Sequence, residues 1–263
     1  MKKNIISIID TFTNKEFTGN PAAVYHMFEN KSNSWMQNFA AEMNLSETAF
    51  LKKKTYNYWY LKWFTPKTEV DLCGHGTLAS AHYLWSQNLI SQNDVIKFNT
   101  NSGILECVKD KKYIYMYFPL LKSININPII DLSESLGKKP EFIRKTKWDL
   151  IAIYKNYQDV INLVPKFNKL KKFSTRGVIV TAPGNKNYNF FARFFAPNLR
   201  INEDYVTGSI YCSLAPYWSK RLGLTNMTAY QASERTGIIR LKVSDNKVRI
   251  GGQAKTIIIG KSI

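Results

Sequence analysis

Glu69-Val70-Asp71-Leu72-Cys73-Gly74-His75-Gly76-Thr77-Leu78-Ala79-Ser80-Ala81-His82-Tyr83-Leu84-Trp85 is the stretch on which the fold turns. A short strand and a glycine-flanked turn lead into a segment that is apolar nearly all round. A helix of that kind has no face to offer water and belongs in the middle of something. The same design returns in Asn202-Glu203-Asp204-Tyr205-Val206-Thr207-Gly208-Ser209-Ile210-Tyr211-Cys212-Ser213-Leu214-Ala215-Pro216-Tyr217-Trp218. There a polar turn with small residues feeds a mostly apolar helix that ends near Arg221-Leu222-Gly223. Setting Trp218 on Trp85 places Thr207-Gly208-Ser209 against Gly74-His75-Gly76. Two copies half a chain apart predict an internal duplication, too few repeats for a solenoid. The expected fold class is α+β, with two similar halves, each a mixed sheet rolled around one central helix. Residues 120–127 lose clear periodicity, so the halves are placed at 1–120 and 121–263, with the last strand free to return to the first.

Outward from these helices, the first half alternates short apolar runs with turn residues. Strands are expected at Ile5–Thr11, 48–51, 56–64, 95–99, 104–108 and 113–118. Phe17-Thr18-Gly19-Asn20-Pro21 is a turn that can present Asn20 to a ligand. Ser34 is expected to cap a helix over 35–43, whose apolar residues fall at helical spacing, and Asn44 suits its end. In the second half, strands are expected at 151–154, 178–181, 189–195, 238–243, 247–250 and 256–259.

The chain has 263 residues, 44% of them hydrophobic and 14% aromatic, which excludes disorder for most of it. No apolar run approaches the ~18 residues of a membrane span. The basic, then apolar, start is too short for a signal peptide and reads as a strand. Three cysteines without CxxC spacing speak against a disulfide framework and a structural zinc site. A cytoplasmic location is therefore expected, with no metal and no membrane partner. Thirty-seven Lys+Arg against 19 Asp+Glu give a net charge of +18. The basic residues are spread out, are mostly lysine, and neither interleave with aromatics nor sit on a DNA-binding motif. Nucleic-acid binding is the less favoured reading of the charge. A lysine-rich surface that draws a small anionic metabolite accounts for it better.

Two helix starts opened by small residues are the main functional signal. Free N–H groups and the positive dipole end make an anion site there, and glycine allows close approach. If the halves face one another, two such ends can hold a carboxylate-bearing substrate in the cleft between them. Glu47, in Asn44-Leu45-Ser46-Glu47-Thr48-Ala49-Phe50, is an isolated acid running into an apolar strand. Burial disfavours a carboxylate's charged form and suits it to proton transfer near neutral pH. His75 lies in the first glycine turn and can bond a ligand or shuttle a proton. Asp204 precedes the second turn, where its plain role is a cap or dipole partner. Cys73 stands at a helix start, which is expected to lower its pKa. Cys107 and Cys212 read as core positions. There is no P-loop, GxGxxG or HExxH.

At these residues the chain resembles the phenazine-biosynthesis PhzF-like family, relatives of diaminopimelate epimerase. The matching stretches are Asp10-Thr11-Phe12-Thr13, Phe17-Thr18-Gly19-Asn20-Pro21-Ala22-Ala23-Val24, Ala41 to Phe50, Trp63-Phe64-Thr65-Pro66, Glu69 to Ala79, Phe194-Phe195-Ala196-Pro197, Glu203-Asp204 with Val206-Thr207-Gly208-Ser209, and Ile250-Gly251-Gly252-Gln253-Ala254. The resemblance implies two similar domains with the site between them. It further implies cofactor-free isomerisation or epimerisation in a homodimer. It implies that Glu47 is the general acid/base, that His75 and Asp204 assist, and that Asn20, Ser46, Gly74, Gly76, Thr207, Gly208 and Ser209 belong to the substrate-binding set.

Diaminopimelate epimerase is more distant and uses two opposed cysteines. Cys73 matches the first, and the second has no counterpart here. The second motif also departs from the family pattern. Tyr205 replaces a proline, Ile210 an alanine, Tyr211 a histidine, and Thr236 stands where glycine is usual. Ile210 and Tyr211 are expected to add bulk beside the second helix start. A non-catalytic protein that binds small carboxylates on the same scaffold is the alternative these departures leave open.

Overall fold

The computed structural model describes residues 4–261. The chain divides into two compact units, one formed by Met1–Tyr117 with Ile250–Ile263 and one by Phe118–Arg249. The C-terminal strand thus belongs to the first unit.

In the first unit the elements are β1 Ile5–Thr11, β2 Asn20–Met27, α1 Asn33–Met43, β3 Glu47–Lys53, β4 Tyr58–Phe64, β5 Glu69–Val70, α2 Gly74–Ser86, β6 Ile96–Thr100, β7 Gly103–Asp110 and β8 Tyr113–Pro119, the last running just past the unit's edge. β1 and β2 pair antiparallel, β2 and β3 parallel, β3 and β4 antiparallel, β4 and β6 parallel, and β6 and β7 antiparallel. The short β5 folds back on the end of β4. α1 fills the crossover between the first parallel pair and α2 that between the second, as parallel neighbours require a long connection.

In the second unit the elements are β9 Ile124–Ile126, α3 Ile130–Leu136, β10 Phe142–Lys145, β11 Asp149–Ile153, α4 Tyr157–Ile161, α5 Phe167–Leu170, β12 Gly177–Pro183, β13 Phe190–Ala196, β14 Ile201–Asp204, α6 Tyr211–Leu222, β15 Asn226–Gln231, β16 Gly237–Val243 and β17 Lys247–Gly252. β10–β11 is antiparallel, β11–β12 parallel, β12–β13 antiparallel, β13–β15 parallel and β15–β16 antiparallel. This is the pairing series of the first unit repeated, with β14 folded back on β13 as β5 is on β4. Finally β18, Ala254–Lys261, pairs antiparallel with β1.

Burial follows the composition. In α2 every residue from His75 to Ala81 and from Tyr83 to Trp85 is buried. In the second unit β11 and β13 are buried along their whole length, as strands covered on both faces must be. α6 carries Pro216 in its interior. A proline there cannot donate to the carbonyl four residues back, and the Cys212 carbonyl instead accepts from the Leu121 N–H at 2.9 Å. Trp218 on α6 donates from Nε1 to Thr181 Oγ1 at 3.0 Å. No described helix is long and apolar enough to cross a membrane.

Several local expectations need correction. α1 is capped by Ser32, whose hydroxyl accepts from the Trp35 N–H, and Ser34 lies inside the helix. Asn44 does close it, in the left-handed conformation at φ 49°. The sequence reading placed a turn and no strand at β2, and it passed over β9, α3, β10, α4, α5, β14 and β15. Apart from β2 all are short, and periodicity has little to register in three to seven residues.

One buried ion pair ties the second unit's helical layer to its sheet. Arg193 on β13 donates from Nε and Nη2 to the two carboxylate oxygens of Glu203 on β14, at 2.7 and 2.8 Å. Its Nη1 reaches the carbonyls of Val160, Ile161 and Leu163 at 2.9–3.2 Å. Truncation strands a partly buried carboxylate and three carbonyls together, a mechanism that costs about 3–5 kcal/mol. Arg193→Ala is therefore expected to lower the denaturant stability of the protein by that amount, whereas Lys242→Ala, on an exposed position of β16, is expected to change it little.

Candidate active site

The first unit brings together Asn20, Ser46, Glu47, Cys73 and His75, drawn from three places in the chain. Asn20 opens β2 directly after Gly19, which sits at φ +73° with its Cα so close to β1 that an added Cβ would lie 2.1 Å from the Thr11 carbonyl oxygen. Only glycine makes that turn, and the turn aims Asn20 inward, where it is fully buried. Glu47 opens β3, beside β2 in the parallel pair, with Ala22 as its register partner. Cys73 is the N-cap of α2: its thiol accepts from the Gly76 N–H at 3.2 Å, the place a serine or aspartate oxygen usually takes. His75 follows in the first turn.

His75 is the hub. Its Nε2 lies 2.9 Å from Glu47 Oε2. On the other side of the ring, Nδ1 faces Cys73 Sγ at 3.6 Å and Asn20 Nδ2 at 3.5 Å. Asn20 Oδ1 in turn accepts from the Ser46 hydroxyl at 3.3 Å. Although Glu47 Oε2 and His75 Nε2 are so close, neither makes an aligned hydrogen bond, and both atoms are buried. Trp63 Nε1 is likewise buried without a partner; its pyrrole edge packs on Gly76, where a Cβ would come within 2.7 Å of the ring. Buried polar atoms left unbonded cost energy. Trp63 escaped the sequence reading because an aromatic in an alternating strand carries no mark of its role.

Electrostatics bind the three titratable groups. Burial works against a charge on His75, but Cys73 and Glu47 beside the ring outweigh it and hold the imidazole well above its ordinary value. The Cys73 thiol is pushed up by burial and by Glu47, with His75 opposing. This reverses the expectation of a lowered thiol pKa: the helix start is there, but the site is too dry and too near a carboxylate for the thiolate.

By donor type Glu47, Cys73 and His75 could also hold a metal ion, since one ligand atom of each falls within 4.8 Å of the others. The imidazole, however, turns Nε2 to Glu47 and Nδ1 to Cys73. A single ring nitrogen does not serve an ion placed between both.

In the second unit the structure gathers Asp204, Thr207, Gly208 and Ser209 where β14 ends and a 3-10 turn over Gly208–Ile210 opens α6. Asp204 is not the cap itself. Its Oδ2 accepts from the Thr207 hydroxyl at 2.5 Å. Gln231 Oε1 takes both the Thr207 N–H at 3.0 Å and the Tyr211 hydroxyl at 3.1 Å, and its Nε2 donates to the Asp204 carbonyl. Ile210 and Tyr211 are fully buried. Both lie in the opening turn of α6, and the Tyr211 hydroxyl shares Gln231 Oε1 with the Thr207 N–H of that same turn. Gln231 was missed because it lies 20 residues or more from its partners.

The Glu47–His75 contact has a consequence for stability. A histidine whose folded pKa is raised contributes stability that is full below its unfolded pKa of about 6.5 and is lost as pH rises through the folded value. The stability gap between the protein and His75→Asn is therefore expected to be widest in mildly acid solution and to close under alkaline conditions. Denaturant midpoints across that range measure it, and a gap independent of pH would contradict the pairing.

Residues 9–260 match the family model described as phenazine biosynthesis-like protein, PhzC-PhzF. An uncharacterized isomerase of Halalkalibacterium halodurans is 43% identical over 256 residues, spanning 96% of each chain. The crystal structure of a PhzF-family phenazine biosynthesis protein from Enterococcus faecalis superposes with a TM-score of 0.96 at 40% identity, covering 100% of both chains. A predicted epimerase from Pseudomonas aeruginosa shares the fold, with a TM-score of 0.76 at 17% identity over 100% of this chain and 99% of that one. With a family match across nearly its whole length and a relative this similar, the chain belongs to the phenazine biosynthesis-like PhzC-PhzF family.

Proposed function

We propose that this protein is an isomerase or epimerase that moves a proton on a small carboxylate-bearing metabolite, with Glu47 as general acid/base. The isomerase class rests on family membership and on the full-length relatives named as isomerases in Halalkalibacterium halodurans and Pseudomonas aeruginosa. The role of Glu47 rests on one observation: its Oε2 stands 2.9 Å from His75 Nε2, and both atoms are buried and free of any aligned bond.

In this reading Glu47 takes a proton from a carbon next to the substrate's carboxylate. The electron pair left behind spreads into that carboxylate, and Glu47 returns the proton to another carbon or to the opposite face. His75, cationic beside Glu47, stabilises the developing negative charge. Cys73 Sγ meets the imidazole on its Nδ1 side, beside the Asn20 amide that Ser46 fixes. Gly74 and Gly76 at the start of α2 enter the same proposal as substrate-binding residues, and so, in the second unit, do Asp204 and the Thr207-Gly208-Ser209 turn at the start of α6. The chemistry calls for no cofactor.

The test is solvent exchange. A panel of small carboxylates is incubated with the protein in D2O and read by mass spectrometry. A converted substrate is expected to gain deuterium, and Glu47→Gln is expected to slow that gain at least about 100-fold, the low end of what a general acid/base contributes. Equal incorporation by both proteins would remove Glu47 from the mechanism.

A further inference from the structure

We propose that Arg176 is a positioning residue for the reaction, acting through Ser209, whose hydroxyl it turns into an obligate donor toward the substrate's anionic group. The inference rests on the substrate contact proposed above for Ser209 and names what sets that contact.

Arg176 immediately precedes β12. Its Nε and Nη2 donate to the two carboxylate oxygens of Asp149 at 2.9 and 2.5 Å. Asp149 opens β11 and its side chain is only 3% exposed. The parallel register that sets Asp149 beside Gly177 brings the two residues together. The guanidinium also lies against two rings, 5.7 Å from the centroid of Trp148 and 5.2 Å from that of Phe194. Gly177 is what lets the Phe194 ring lie so close, since a Cβ there would meet it at 2.5 Å. Between a bidentate carboxylate and two aromatic faces, the guanidinium has little freedom left.

What remains of it points at Ser209. Arg176 Nη1 donates to Ser209 Oγ at 2.8 Å. A guanidinium has five N–H donors and no acceptor, so the serine oxygen must accept and its own proton must point elsewhere. Arg176 thereby fixes which way Ser209 donates. Stability alone does not explain the arrangement. A salt bridge whose arginine is partly exposed adds little to stability, and a cation beside a helix start has the dipole against it. An anion brought to Ser209 satisfies both positive ends at once. The field of Arg176 reaches into the helix: burial pushes the Cys212 thiol up to about 12, and the Arg176 charge works against that push.

A double-mutant cycle tests the inference, with benzoate as the carboxylate probe and the Gly208 amide signal as readout in the full-length protein. Arg176→Lys keeps the charge but loses the fork, and Ser209→Ala removes the hydroxyl. Each is expected to weaken benzoate binding about tenfold, and the double variant is expected to bind no more weakly than the weaker single one. Binding by Arg176→Lys equal to wild type, independent losses that add, or no benzoate response in the wild type would each overturn it. If Arg176→Lys fails to fold, Asp149→Asn takes its place, freeing the guanidinium without removing it. The proton-transfer reading fails or stands by exchange, not by binding, so the two outcomes are separable. Exchange that depends on Glu47 with additive binding losses sinks this inference alone.

Discussion

A helix that buries its opening turns must be surrounded there, and this chain meets that constraint twice. α2 buries ten of its residues from His75 to Trp85, and α6 buries Tyr211 to Ala215 and Trp218 while Lys220 to Leu222 at its end are exposed. α2 cannot lie on a flat sheet with one face in water. The mixed pairing series, antiparallel and parallel by turns, supplies the answer, because each parallel step needs a crossover. The second crossover of each series carries the central helix. The repeat of that series in both units follows from the same demand made by two similar stretches of sequence.

Burying the helix also decides where chemistry can happen. The body of such a helix is closed to ligands, while its first turn keeps N–H groups that the helix cannot satisfy. The two copies use that turn differently. At α2 the cap is a thiol, the next residue but one is a histidine, and a carboxylate arrives from the neighbouring parallel pair of strands. The result is a set of titratable groups whose protonation is coupled. At α6 the corresponding place holds donors and acceptors whose directions are settled by Asp204, Gln231 and Arg176. One scaffold thus carries a set of titratable groups at the helix start of one unit and an oriented hydrogen-bonding set at that of the other.

The motifs that carry the site were legible because small residues and an isolated acid stand out against an apolar background. Glu47, His75 and Asp204 all mark themselves in this way. Trp63, Gln231, Asp149 and Arg176 do not. Each looks like an ordinary strand or loop residue, and each matters through a partner 13 to 33 positions away in sequence (Arg176 to Ser209 being the longest). Tyr211 shows the converse. Read against a family pattern it looks like an intrusion on the site, yet its hydroxyl ends on a core glutamine.

Periodicity and composition by themselves determined that this chain is α+β, duplicated, and built around two buried helices, because burial imprints a pattern on every residue of a helix or strand. They also marked the two helix starts, since glycine and small polar residues are needed wherever backbone N–H groups must stay open. Only the tertiary structure decided the state of the groups there. Cys73 is pushed up rather than down because burial and Glu47 outweigh a helix start, and His75 is raised because Cys73 and Glu47 beside its ring outweigh burial. Coulomb energy and desolvation depend on distance and depth, and neither is written in the order of residues along a chain.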